Sequence, residues 1–150
     1  MWEDHDEESF DPDDERRKFE RMPLFAKAEE IQELVRRIVD TLDKDDPHAE
    51  VHSSVMLDNA ITLSAKIASA EAVSDYILKM EDATLIKIHA RSLLTQAASL
   101  RYLELIDAAY LKLLQTEMDA FRTLFRKWVA AFEKTTKKND DGWGLFYKGE

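Results

Sequence analysis

The sequence predicts an all-α protein, an up-down-up-down antiparallel four-helix bundle preceded by a disordered acidic tail and followed by a short aromatic extension. Apolar residues recur at spacings of three and four through most of the chain, and no alternating strand pattern occurs. The three Gly and three Pro all fall outside the interiors of these periodic stretches, so the backbone breakers act as punctuation. At 150 residues the chain has the size of one domain that buries its own core without disulfides or metals.

Residues 1–20 form the expected mobile tail. Nine of the 31 acidic residues lie in the first 15 positions, where there is no Lys or Arg, and such a segment buries too little apolar surface to offset its ordering entropy. The bundle is expected over residues 21–136. Pro23 suits a first helical turn, where its missing N–H costs nothing, and Leu24, Ala28, Ile31, Val35, Ile38 and Leu42 then mark one face of the first helix. The turn that follows ends at Asp46 as an N-cap, with Pro47 opening the second helix. Met56, Ala60, Leu63, Ile67 and Ala70 form one seam of that helix and Leu57, Ile61, Ser64 and Ala68 a second beside it. With only Asp58 and Lys66 charged between Val51 and Ala70, it is expected to be the most buried element.

A single rod from residue 47 to 98 would span roughly 75 Å at 1.5 Å per residue, too long for one compact domain. A break is therefore placed near Ala70 to Ser74, with Ser74 as the cap of a third helix whose inner side carries Tyr76, Met80, Ala83, Ala90, Leu94 and Ala97. After a connection around residues 100–103 comes a fourth helix, expected to be the longest and to reach about Lys134. Leu111, Leu114, Met118, Phe121, Phe125, Trp128 and Phe132 line it. Residues 137–150 close the chain as an extension in which Trp143, Leu145 and Phe146 are expected to dock in a groove of the bundle or of a neighbouring subunit, the alternative being a free segment that serves as a short aromatic ligand for another protein. Three large apolar side chains would each gain about 1.5–3 kcal/mol on burial, and Gly142 and Gly144 let the backbone bend against a helix.

Composition excludes several functions. The absence of cysteine removes thiol nucleophiles, iron–sulfur clusters and cysteine zinc sites, and fits the cytoplasm. No apolar run approaches the roughly 20 residues of a spanning helix, so no membrane segment is expected. Without the first 15 residues the chain holds 22 acids against 21 bases, a balance that argues against a nucleic-acid partner, which asks for a basic surface. No cofactor is expected. None of the four histidines has Glu three residues before it, as a di-iron bundle requires. Glu30 and Glu33 supply half of a helical magnesium motif, but the second helix lacks the other half. His48 and His52 have a chelating spacing without a third ligand.

His89 is the one candidate for chemistry, as the acceptor of a histidine phosphotransfer bundle with Lys87 and Arg91 nearby, although the run His89-Ala90-Arg91-Ser92-Leu93 lacks the glycine that gives an incoming domain access. Its structural alternative is a hydrogen bond to Asp82 or to a helix neighbour. Asn59, Lys66, Asp82 and Glu117 also adjoin apolar seams, where an unpaired charge would cost several kcal/mol, so these polar residues are expected to pair with one another and with His89.

Lys27-Ala28, Asn59-Ala60, Ala65-Lys66-Ile67, Met80-Glu81-Asp82-Ala83, Glu117, Phe121-Arg122, Phe125, Trp128-Val129 and Trp143-Gly144-Leu145-Phe146 together resemble the four-helix-bundle proteins encoded in 23S rRNA intervening sequences, in their divergent bacterial branch of unknown function. The resemblance spans about Leu24 to Phe146. It implies a bundle that often forms homo-oligomers, and it is carried by packing residues that specify a fold without specifying chemistry. The function expected from all of this is a non-enzymatic, self-associating module that binds another protein, with phosphotransfer through His89 as the alternative.

Overall fold

The computed structural model describes Asp13 and residues 18–147. The tail expected over residues 1–20 lies outside the described residues apart from Asp13 and residues 18–20. Of these, Phe19 packs edge-on against Phe25 with ring centroids 5.2 Å apart.

Four long helices build the protein: α1 (Pro23–Asp40), α2 (Ala49–Glu71), α3 (Tyr76–Tyr102) and α4 (Ala108–Ala130), followed by the single turn α5 (Phe132–Thr135). No strand occurs among the described residues. α1 packs on α2 and α4, and α3 packs on the same two, closing a ring in which sequence neighbours lie side by side. Along α2 and α3 the contacts run in opposite order, from His52 with Gln96, through Asn59 with His89, to Lys66 with Asp82, so the pair is antiparallel. The α1 seam Leu24, Ala28, Ile31, Val35, Ile38 and Leu42 is buried, as is the α2 seam Met56, Ala60, Leu63, Ile67 and Ala70.

Boundaries and one seam differ from expectation. Pro47 lies in the turn before α2, where Asp46 Oδ1 accepts from the His48 N–H at 2.8 Å, and the helix starts at Ala49. Asp75 rather than Ser74 caps α3, accepting from the Leu78 N–H at 3.0 Å. α3, with 27 residues, is the longest helix, because α4 stops at Ala130 and restarts as α5. Its inner face is rotated from the predicted one, with Ile77, Ile86, Leu93 and Leu100 in the core beside Ala83 and Ala97 while Tyr76, Met80, Ala90 and Leu94 are only half-buried. α2 is not sealed from solvent either, since Val51, Val55 and Ile61 are exposed.

The two ends of the bundle are finished differently. At the α3–α4 turn, Glu104 takes φ 60°, and Leu105 and Glu104 donate back to the carbonyls of Leu100 and Arg101 at 2.9 and 3.0 Å. This is the Schellman pattern, which satisfies the last carbonyls of α3. Asp107 then caps α4 through the Ala109 N–H at 2.9 Å. At the α2–α3 turn the C-terminal extension closes the structure. Lys137 donates to the Ser74 carbonyl at 3.1 Å and accepts from the Tyr76 N–H at 3.0 Å, and the Lys138 ammonium lies 4.8 Å from the Tyr76 ring centroid.

Candidate functional site

The polar residues singled out from sequence do not form one network. They fall into three pairs. Asn59 is buried, and its Oδ1 lies 2.9 Å from His89 Nδ1 across α2 and α3. Lys66 and Asp82 face each other at 3.9 Å on the same two helices. Glu117 of α4 joins neither of these, because it meets Lys27 of α1 at 2.9 Å, and Lys27 also reaches Glu30 at 2.6 Å. The hydrogen bonds that Lys27 donates to Glu30 and then to Glu117 raise its pKa above its ordinary value. The hydrogen bond from Lys27 lowers that of Glu30.

The expected partner Asp82 is therefore not the one His89 uses. The Asn59 bond occupies Nδ1, so any phosphoryl transfer to this ring would fall to Nε2. Among the described residues no group of three or more His, Asp or Glu side chains is placed to hold a metal ion. His52 contributes its backbone carbonyl to Gln96 Nε2 at 3.3 Å.

Two features escaped the sequence reading. Lys79 is buried, with its ammonium 2.7 Å from the Ala70 carbonyl and 5.4 Å from the Phe132 ring centroid. A cation at the C-terminal carbonyls of α2 is favoured by the helix dipole. Its signal was legible, since Lys79 precedes Ile86, Leu93 and Leu100 at heptad spacing on the face that became the core. The second feature is a groove of about 370 Å³ between α3 and α4. Ile86, Ala90, Leu94, Met118, Phe121 and Phe125 make its apolar floor. Lys87 and Arg91 on one side and Arg122 and Arg126 on the other are exposed along its edges. Arg122 is engaged by Asp119 at 3.0 Å, and among the described residues the other three make no ion pair. Two basic pairs at i, i+4 on consecutive helices were the sequence sign of this rim.

Trp143, Leu145 and Phe146 are 82%, 60% and 40% exposed. Within one chain the expected docking on the bundle is not made. Positive φ values of 85°, 76° and 58° at Gly142, Gly144 and Phe146 curl the segment, and Asp140 and Asp141 accept from the Gly142 and Trp143 N–H groups at 2.8 and 3.0 Å. The aromatic side chains thus sit on a shaped hook that projects from the anchored residue Lys137.

These features define the class of the protein, an all-helical bundle with exposed apolar and cationic surfaces. Comparison with known proteins finds no matching family model and no matching curated protein.

Proposed function

We propose that the chain is a non-catalytic helical-bundle module that associates with copies of itself and, through the assembly so formed, binds another protein. One observation carries this reading. Val51, Val55 and Ile61 of α2 and Leu78, Leu85 and Ile88 of α3 stand exposed although their helices are otherwise well packed. Asp58 and Lys66 are the sole charged residues between Val51 and Ala70, so α2 itself has few groups that favour water. Large apolar side chains left exposed in this number mark interaction surfaces. A bundle of four helices needs about one apolar stripe per helix, which α2 exceeds. Self-association is also what the resemblance to the intervening-sequence bundles implies.

Light scattering across a wide concentration range tests the proposal. The expected result is a mass above the 17.4 kDa of one chain, lowered when Val55 and Ile88 are both replaced by Glu. A single-chain mass for the unaltered protein at every concentration would remove the reading.

A further inference from the structure

We infer that the aromatic hook at residues 140–146 of one copy seats in the cation-rimmed α3/α4 groove of a second copy of this chain. The inference deepens the self-association reading and rests on it.

The chemistry of the two parts is complementary. The hook offers Trp143, Leu145 and Phe146, all exposed, beside the carboxylates Asp140 and Asp141. The groove offers an apolar floor of about 370 Å³ with Lys87, Arg91, Arg122 and Arg126 at its edges. Aromatic anchors gain most in such a pocket, and opposite charges at a rim fix register and speed the encounter. The hook is also already shaped, because the aspartate contacts and the turned backbone hold it before any partner arrives. Less ordering entropy then remains to be lost on binding.

The geometry favours a second copy over the chain's own groove. The extension is tied at Lys137 to Ser74 and Tyr76, at the start of α3. From Tyr76 the groove begins at Ile86, roughly 15 Å along the helix at 1.5 Å per residue. Lys137 to Trp143 would bridge roughly 20 Å only if fully extended. The turn at Gly142 makes it shorter than that, and the Lys137 anchor has to persist as well. A hook and a groove on different faces make a heterologous contact, so each copy can give one hook and receive another, which builds a ring or a growing chain.

The test is complementation between full-length variants. Trp143→Ala with Phe146→Ala removes the hook and keeps the groove, while Arg91→Glu with Arg126→Glu reverses the rim and keeps the hook. All four side chains are exposed, so circular dichroism should show unchanged helix content in both variants. The expected result is a light-scattering mass lower than the unaltered chain's by at least one 17.4 kDa step in each variant alone. An equimolar mixture of the two should recover such a step. If either variant keeps the full mass, the hook–groove contact is wrong while self-association stands. The contact is equally wrong if both masses fall and the mixture recovers nothing. A single-chain mass for the unaltered protein would overturn both readings.

Discussion

The α2–α3 end of the bundle and the α3/α4 seam are built from similar residues, a few large aromatics and a few cations, and reach opposite outcomes. At the end, Lys79 turns inward to the Ala70 carbonyl, Phe132 covers it, and Trp128 stacks edge-on against Phe132 at 4.7 Å while donating to Glu71 at 2.7 Å. Every aromatic there has a cover or a polar partner, and residues 137–138 seal the outside. Along the seam, Phe121 and Phe125 face a gap and the cations point outward around it. Small Ala90 on the facing helix leaves the gap unfilled. A cation spent on a carbonyl closes a structure, whereas cations lined up beside an apolar gap leave a surface to be met by something else.

The contrast is sharpest if one side chain is deleted in each region. Phe132→Ala should cost about 3–5 kcal/mol, the range for truncating a fully buried Phe, and chemical denaturation would measure it. Phe125→Ala, at a half-buried position, should cost clearly less in the single chain. Equal losses would show that the groove is as tightly packed as the sealed end. Next in size, Lys79→Ala should destabilise by about 1–3 kcal/mol, because it leaves the Ala70 carbonyl without its ammonium and Phe132 without part of its cover. A loss within a few tenths of a kcal/mol would mean that solvent replaces the ammonium at no cost.

How much of this was legible follows from the range of the forces involved. Leu24 to Leu42 on α1 and Met56 to Ala70 on α2 were read correctly because a stripe of branched and small apolar residues has one way to face a core. On α3 two stripes compete, and the one with Ala90 and Leu94 looked as apolar as the one with Ile86 and Leu93. Lys79 lies on the second stripe, and only tertiary structure reveals the Ala70 carbonyl that accepts its ammonium. The polar residues failed for the same reason. Which of Asp82 or Asn59 meets His89 depends on helix register, and a single sequence does not encode register in any short-range pattern. The hook was legible as an apolar cluster, but whether the chain itself covers it depends on tertiary structure.

A smaller effect is expected at the opposite end of the seam. Glu104 holds a left-handed φ of 60° at the position where helices usually end on Gly, and a non-Gly residue there pays roughly 1–2 kcal/mol in backbone strain. Glu104→Gly relieves that strain and gives back part of it through the greater freedom of the unfolded chain, so a net gain of up to about 1 kcal/mol is expected in denaturation. A loss of stability would mean that the Glu104 side chain contributes more than its backbone costs.

The smallest effect is a pH dependence on the far side of the bundle, where Lys27 ties α1 to Glu117 of α4 and to Glu30. The hydrogen bond and charge of Lys27 hold the Glu30 carboxyl below its ordinary 4.5. A carboxylate depressed in the folded state contributes stability that is present above its unfolded value and fades as the pH falls through the folded value. Lys27 moves the other way, raised above 10.5 by Glu30 first and Glu117 second, so its contribution is present below 10.5 and fades as the pH climbs past the raised value. The advantage of the unaltered chain over Lys27→Met should thus be flat across neutral pH, shrink below 4.5 and shrink again above 10.5. Because the Glu30 partner is well exposed, the advantage should also diminish as salt is added. Denaturation curves for both proteins at pH 3, 7 and 11 would read it. An advantage that stays constant across the three, or grows in acid, would show that Lys27 stabilises through the packing of its aliphatic stem and not through its charge.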